Sequence, residues 1–218
     1  MSTQRISGDQ IAQMDLADWR SMYQALEARF RTGDFATGLR MVNLIGQAAE
    51  EANHHPDIDL RYSHVNIRLI SHDIGGKTQR DVDLARQISH IAADLGVEAD
   101  PACVSRVEIG LDTWDAAEIR PFWQAVLGLR HDTDFDDLRD DEGDLPTIWF
   151  QDCEPHPEPH QRFHLDIRVP PEVAGQRIAE ALAAGGTLIS DTRAPTFTVL
   201  ADPQGNRICV CTHAERTD

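Results

Sequence analysis

A break near the middle of the chain constrains its folding more than any other feature. The stretch LGVEADPACVS closes a helical pattern at Gly96 and then meets Pro101, which can neither continue a helix nor enter a central strand. Divided there, the 218-residue chain gives two parts, 1–100 and 101–218, each of ordinary small-domain size. Charge separates them further: the first carries 15 acidic and 10 basic residues, the second 22 and 10. With 41% hydrophobic and 26% charged residues, the chain can bury a core. Its net charge of −17, with Lys77 its only lysine, repels phosphate backbones and anionic lipid, so no nucleic-acid or membrane partner is expected. No apolar run nears the ~18 residues of a membrane span. The opening MSTQRISGDQIAQMDLADW has no basic segment leading into an apolar one, so no secretory signal is expected. Cys103, Cys153, Cys209 and Cys211 form neither a CxxC pair nor a disulfide framework, and a cytoplasmic protein with free thiols is the expectation.

In the first part the pattern predicts a helix near 9–18, two short strands or a hairpin near 20–34, and a helix over 35–52 with Leu39, Val42, Ile45 and Ala49 on its buried stripe. YSHVNIRLIS reads as a strand with Val65, Ile67 and Leu69 inward and Tyr62, His64, Asn66 and Arg68 outward. After Gly75-Gly76, Thr78 and Asp81 have capping-box spacing and open a helix through Leu95, striped by Val82, Ala85, Ile88, Ile91, Ala92 and Leu95. Helices over one antiparallel sheet make an α+β domain. The second part reads strand, helix, strands and then strand, helix, strands again. VEIGLD, TIWFQ and HLDIRV are strands, AAEIRPFWQAVL and PEVAGQRIAEALAAG are helices, and FTVLAD and RICVCT form a hairpin across Asp202-Pro203-Gln204-Gly205. This is two copies of one βαβββ unit. The acidic run 132–144 reads as a solvated hairpin or loop.

Three imidazoles, His54, His55 and His72, fall within 19 residues in EEANHHPDIDLRYSHVNIRLISHD. Histidine gives and takes protons near neutral pH, and loops set such groups on a rigid frame. Any one of them alone is more simply a loop histidine. A zinc site is the weaker alternative, because adjacent histidines do not both reach one ion with ease and no cysteine is near. Asp81 doubles as a helix cap, and Pro56 as a helix stop.

Taken together these residues resemble the pterin-4a-carbinolamine (4a-hydroxytetrahydrobiopterin) dehydratases. The family pattern is an acid, three residues, His-His-Pro, an aromatic six residues on, His ten later and Asp nine beyond. Glu50, His54, His55, Pro56, Tyr62, His72 and Asp81 stand at those spacings. FRTGDFATGLRMVNLIGQAAE resembles the family's first helix, so the likeness covers about 5–95. It implies a lyase of tetrahydrobiopterin biosynthesis that dehydrates a 4a-hydroxytetrahydropterin to the quinonoid dihydropterin. It assigns His55 as general acid, His72 as base, and His54 to orienting the pterin or serving the other 4a epimer. Glu50 and Asp81 would fix imidazole orientation and proton affinity, with Pro56, Tyr62, Ser71 (where the family usually has Thr) and Asp73 completing the substrate site. The pterin is substrate, so no cofactor is implied, and a homo-oligomer (dimer or tetramer) is.

FWQAVLGL, RFHLDIRV and LADPQGNRICVC resemble the glyoxalase-like branch of the vicinal oxygen chelate superfamily, over about 104–213. The family's metal-ligand positions map onto Glu108, Gln151, His164 and Cys209. Of these only His164 is the usual ligand type, and Cys209 stands where Glu is customary, so the expectation is a pocket that includes Asp166 and holds no divalent metal. His156 and His160 read as a proline-stiffened loop, and Trp114, Trp123, Trp149 and Phe163 as core or pocket wall. Two other readings compete with the dehydratase. One is a non-catalytic dimerising or binding module; the other is a metal-dependent lyase, isomerase or dioxygenase seated in the second part. The full histidine spacing favours the dehydratase, with the second domain's ligand unassigned.

Overall fold

The computed structural model describes residues 4–105, 108–141, 143–155, 164–169, 171–212 and 214. The chain forms two compact units, Met1–Arg106 and Val107–Asp218. The division falls six residues beyond the 100/101 expectation because Pro101 still belongs to the first unit. The Asp100 amide donates to the Arg29 carbonyl, and its carboxylate pairs with Arg31 at 2.6 Å.

The first unit runs α1 (Gly8–Ala12), β1 (Arg20–Met22), β2 (Ala25–Arg31), α2 (Phe35–Ala52), β3 (Asp57–Leu60), β4 (Val65–Leu69), α3 (Gln79–Asp94) and β5 (Glu98–Ala99). All its strand pairs are antiparallel, in the order β1-β2-β4-β3, with β5 along the far end of β2. The predicted helix near 9–18 is only the five residues of α1, after which the chain turns inward to bury Trp19. The stripe on α2 is Gly38, Met41, Ile45 and Ala49; Leu39 is 46% exposed. Gly38 explains the roll of the helix: a Cβ there would stand 2.6 Å from Leu60 Cδ1, so α2 settles onto β3 through a residue without a side chain. The α3 stripe is as expected, with Leu84 added to it. Val65, Ile67 and Leu69 are buried on β4.

The second unit runs β6 (Glu108–Thr113), α4 (Ala116–Leu127), β7 (Arg130–Asp132), β8 (Asp137–Arg139) and β9 (Thr147–Asp152), then β10 (Leu165–Arg168), α5 (Pro171–Ala183), β11 (Thr187–Arg193), β12 (Phe197–Ala201) and β13 (Arg207–Cys211). Each copy is βαβββ, and each sheet has the order first-fourth-third-second, β6-β9-β8-β7 and β10-β13-β12-β11, with the first pair parallel. The acidic run supplies the β7–β8 hairpin. One core serves both copies, built on Phe122, Trp123, Ile148, Leu200 and Ile208. Trp123 Nε1 donates to buried Asp202 at 3.0 Å, tying α4 to the β12–β13 turn. Trp114 and Trp149 are more than a third exposed rather than core. His156, His160 and Phe163 lie outside the described residues.

Candidate functional site

In the first unit α2 ends at Ala52, and Asn53 takes the left-handed conformation (φ 46°, ψ 44°) that Asn tolerates with little strain. That cap, not Pro56, stops the helix. It turns the next two residues apart: His54 is buried, and the His55 side chain is 57% exposed. Pro56 biases His55 to extended backbone and leads directly into β3.

His54 Nε2 meets Asp81 Oδ1 at 2.8 Å, with Asp81 fully buried. Asp81 Oδ2 accepts from the Thr78 amide at 2.7 Å, closing the α3 capping box, and from Ser71 Oγ at 2.7 Å. The Thr78 hydroxyl lies 2.8 Å from Ser71 Oγ and 3.3 Å from Asp81 Oδ2, so the two hydroxyls and the carboxylate form one closed cluster. A carboxylate that receives all these donors is an acceptor throughout, so the proton on the shared edge belongs to His54 Nε2 and Nδ1 is left as the ring's other nitrogen. Asp81 is thus both the cap and the histidine's partner, two roles that the sequence presented as alternatives. Ser71 and Thr78 join them into one buried network, and the part of Thr78 beyond capping was legible only once Ser71 was seen to face it.

The other two histidines flank this network. His55 follows His54 in the chain and places Nε2 3.1 Å from Glu50 Oε1, both side chains exposed. His72 follows Ser71, is exposed, and has no hydrogen-bonded side-chain partner among the described residues. Its loop is closed by bonds between Ser71 and Gly76 and braced by Arg80, which meets Asp73 at 2.5 Å and holds that carboxyl below its ordinary range. Lys77, next along the chain after Gly76, is buried, and its ammonium donates to the Tyr23 carbonyl. Tyr62 is 74% exposed in the β3–β4 turn and makes no hydrogen bond or ring contact among the described residues.

In the second unit, Asp166 on β10 is the register partner of Cys209 on β13, and His164 lies two residues earlier on the same face as Asp166. Their ligating atoms lie within 4.8 Å of one another, with His164 Nε2 3.4 Å from Asp166 Oδ1. The cluster lines a cavity of 460 Å³ with Phe197 and Val199. Burial, and then the bond to Asp166, pushes the Cys209 thiol up to about 11. Glu108 and Gln151 do not join it. Glu108 pairs with Thr147 and Gln151 with Asp112, four residues apart along the ladder, or about 13 Å. All four cysteines are free.

Residues 4–91 match the family model described as pterin 4 alpha carbinolamine dehydratase. A protein of Nocardia farcinica (strain IFM 10152), provisionally named a pterin-4-alpha-carbinolamine dehydratase, is 40% identical over 94 residues, which are 42% of this chain and 99% of that protein. The chain belongs to the pterin-4a-carbinolamine dehydratase family. Another provisionally named dehydratase, from Acidobacterium capsulatum, is 42% identical over 73 residues, 34% of this chain and 79% of that protein. Residues 108–211 match a glyoxalase-like domain, so the dehydratase-family unit is followed by a glyoxalase-like one. Among solved structures, a transcriptional coactivator/pterin dehydratase from Brucella melitensis is 25% identical with a TM-score of 0.38, covering 41% of this chain and 99% of that one. No helix among the described residues is long and apolar enough to cross a membrane.

Proposed function

We propose that the Met1–Arg106 unit dehydrates a 4a-hydroxytetrahydropterin to the quinonoid dihydropterin. The observation that carries this reading is the placing of two accessible imidazoles, His55 and His72, each next in sequence to a member of one buried Ser71–Asp81–His54 network. The reaction needs one proton delivered and one removed. His55, in its protonated form beside Glu50, gives a proton to the 4a-hydroxyl; the C4a–O bond breaks and its electron pair leaves with water. His72 takes the N5 proton, and the electrons of the N–H bond become the C4a=N5 double bond. His54, fixed through Nε2 on Asp81, presents Nδ1 to orient the pterin. Both working histidines are open to solvent, which returns a proton to His55 and removes one from His72 between turnovers. A lone pair of exposed histidines would wander; the network, the Arg80–Asp73 brace and Pro56 limit that motion, which is what proton transfer at hydrogen-bond range demands.

The test is the dehydration rate of a 4a-hydroxytetrahydropterin against its spontaneous rate. The intact protein accelerates the reaction, and His55→Ala and His72→Ala each lower that acceleration by ~10²–10⁴-fold with unchanged thermal melts, since both side chains are exposed. A folded protein that gives no acceleration overturns the proposal.

A further inference from the structure

We propose that Arg5 is a positioning residue for His72: its Nε hydrogen bond to the Ile74 carbonyl holds in place the loop that carries this histidine. The proposal rests on the dehydratase reading above and adds a residue outside the histidine motif. His72 is exposed and has no hydrogen-bonded side-chain partner among the described residues, so its place is set through its backbone. That backbone folds back on itself. Ser71 and Gly76 exchange amide-to-carbonyl bonds at 3.1 and 3.4 Å, and the Gly75 amide donates to the His72 carbonyl at 3.2 Å. These bonds shape the loop but tie it only to itself. Two arginines tie it outward. Arg80, from α3, meets the Asp73 carboxylate at 2.5 Å, and Arg5, from the segment before α1, donates from Nε to the Ile74 carbonyl at 2.9 Å.

The glycine pair makes the seat for Arg5. A Cβ at Gly75 would stand 3.2 Å from Arg5 Nη2, and one at Gly76 would stand 3.3 Å from both Arg5 Cγ and Cδ. The arginine side chain therefore lies along Gly75-Gly76, and a side chain at either position would crowd it. Gly75 meets two needs at once, the positive φ of the turn (62°) and the close approach of the guanidinium. The segment that carries Arg5 is itself anchored. The Ile6 amide donates to the Lys77 carbonyl at 2.7 Å, Ile6 packs against the first unit's core, and Ser7 opens α1 through a capping box with Gln10. Three successive residues thus strap the far end of the loop to the body of the unit. A guanidinium donor makes a charge-assisted bond, stronger than an amide would make to the same carbonyl. The consequence is for His72. A base removes a proton only within hydrogen-bond reach, and a misplacement of about 1 Å costs about 10²-fold in rate. Held by Arg80 alone, the loop pivots about Asp73; with Arg5 it is held at both Asp73 and Ile74.

The experiment compares Arg5→Met with Arg5→Gln in the full-length chain, by amide hydrogen exchange and by dehydration of a 4a-hydroxytetrahydropterin. Glutamine places an N–H donor as many bonds from Cα as the arginine Nε and carries no charge; methionine places a methyl group there. Arg5 is exposed, so both variants keep the fold. Arg5→Met speeds exchange at the Gly75 and Gly76 amides about fivefold or more while Ile88, in the core face of α3, keeps its rate. The same variant lowers kcat about fivefold or more and leaves KM within about twofold, because the loss falls on the geometry of proton transfer. Arg5→Gln stays within about twofold of the unaltered chain in exchange and in kcat, since the donor is kept. The proposal is overturned if Arg5→Met leaves loop exchange unchanged, if the loop opens and kcat does not fall, or if Arg5→Gln loses as much as Arg5→Met, which would assign the effect to charge. An unaltered chain that gives no dehydration fails the dehydratase reading instead, and the exchange comparison then decides by itself whether Arg5 holds the His72 loop.

Discussion

Two of the chain's histidine–carboxylate pairs look alike on paper and are opposite in kind. His54 and Asp81 meet at 2.8 Å with side chains 8% and 0% exposed; His164 and Asp166 meet at 3.4 Å with 59% and 56% exposed. The first pair is saturated: every polar atom of Asp81 is spoken for by Ser71, Thr78 or His54. Asp81 cannot take a new partner without breaking an old one, and its use is to hold His54 in place. The second pair is nearly unsupported, and its neighbour Cys209 is a buried thiol. The difference teaches that burial with full satisfaction makes a frame, whereas exposure leaves a pair with little to hold it in place.

The sharpest way to break this contrast is Asp81→Ala. Loss of a buried partner leaves His54 uncompensated and strips the α3 cap, and the expected cost is about 3–5 kcal/mol in urea unfolding; a cost under 1 would show that the network is not the frame. Ser71→Ala removes one buried donor and should cost about 1–2 kcal/mol by the same measurement, with dehydration slowed less than by His72→Ala. Alkaline titration should bend the two units in opposite senses. Burial depresses the Lys77 ammonium against the pull of Asp81, so the unfolded chain holds a proton that the folded chain has released. Its share of stability rises with pH toward the ordinary 10.5, and Lys77→Met should flatten that rise. Cys209, held at about 11 against 9.0, does the reverse: the folded chain keeps its proton longer. Stability that is complete below pH 9 falls as pH climbs toward 11, and Cys209→Ser should remove that fall. The smallest effect is expected for the exposed Asp166→Ala, a change within about 0.5 kcal/mol by thermal melt.

Periodicity and caps made the long elements legible. The stripes of β4 and α3, the capping box and the duplicated βαβββ order were all readable because burial repeats at 2 or 3.6 residues. What escaped had no such signal. β11 is exposed over six of its seven residues, so nothing marks a core face, and β3 is four residues directly behind a proline. Leu39 was placed on the wrong side of α2 because Gly38 carries no hydrophobic weight, yet it is the residue that touches the sheet. At the candidate sites, residue types and spacing revealed the three histidines and Asp81. That His54 is inside and His55 outside depends on the φ of Asn53, and that Asp166 joins Cys209 depends on a strand register between residues 43 positions apart in sequence. Neither quantity is local in sequence.

The left-handed turn at Asn53 acts as a phase setting for the motif behind it. An α-helix advances about 100° per residue, so one more helical residue at the end of α2 would rotate the His-His pair by more than a quarter turn. The imidazole now anchored on Asp81 would swing toward solvent, and its neighbour would turn inward. Two chemically identical side chains therefore owe their division of labour to the handedness of a single residue that touches neither proton.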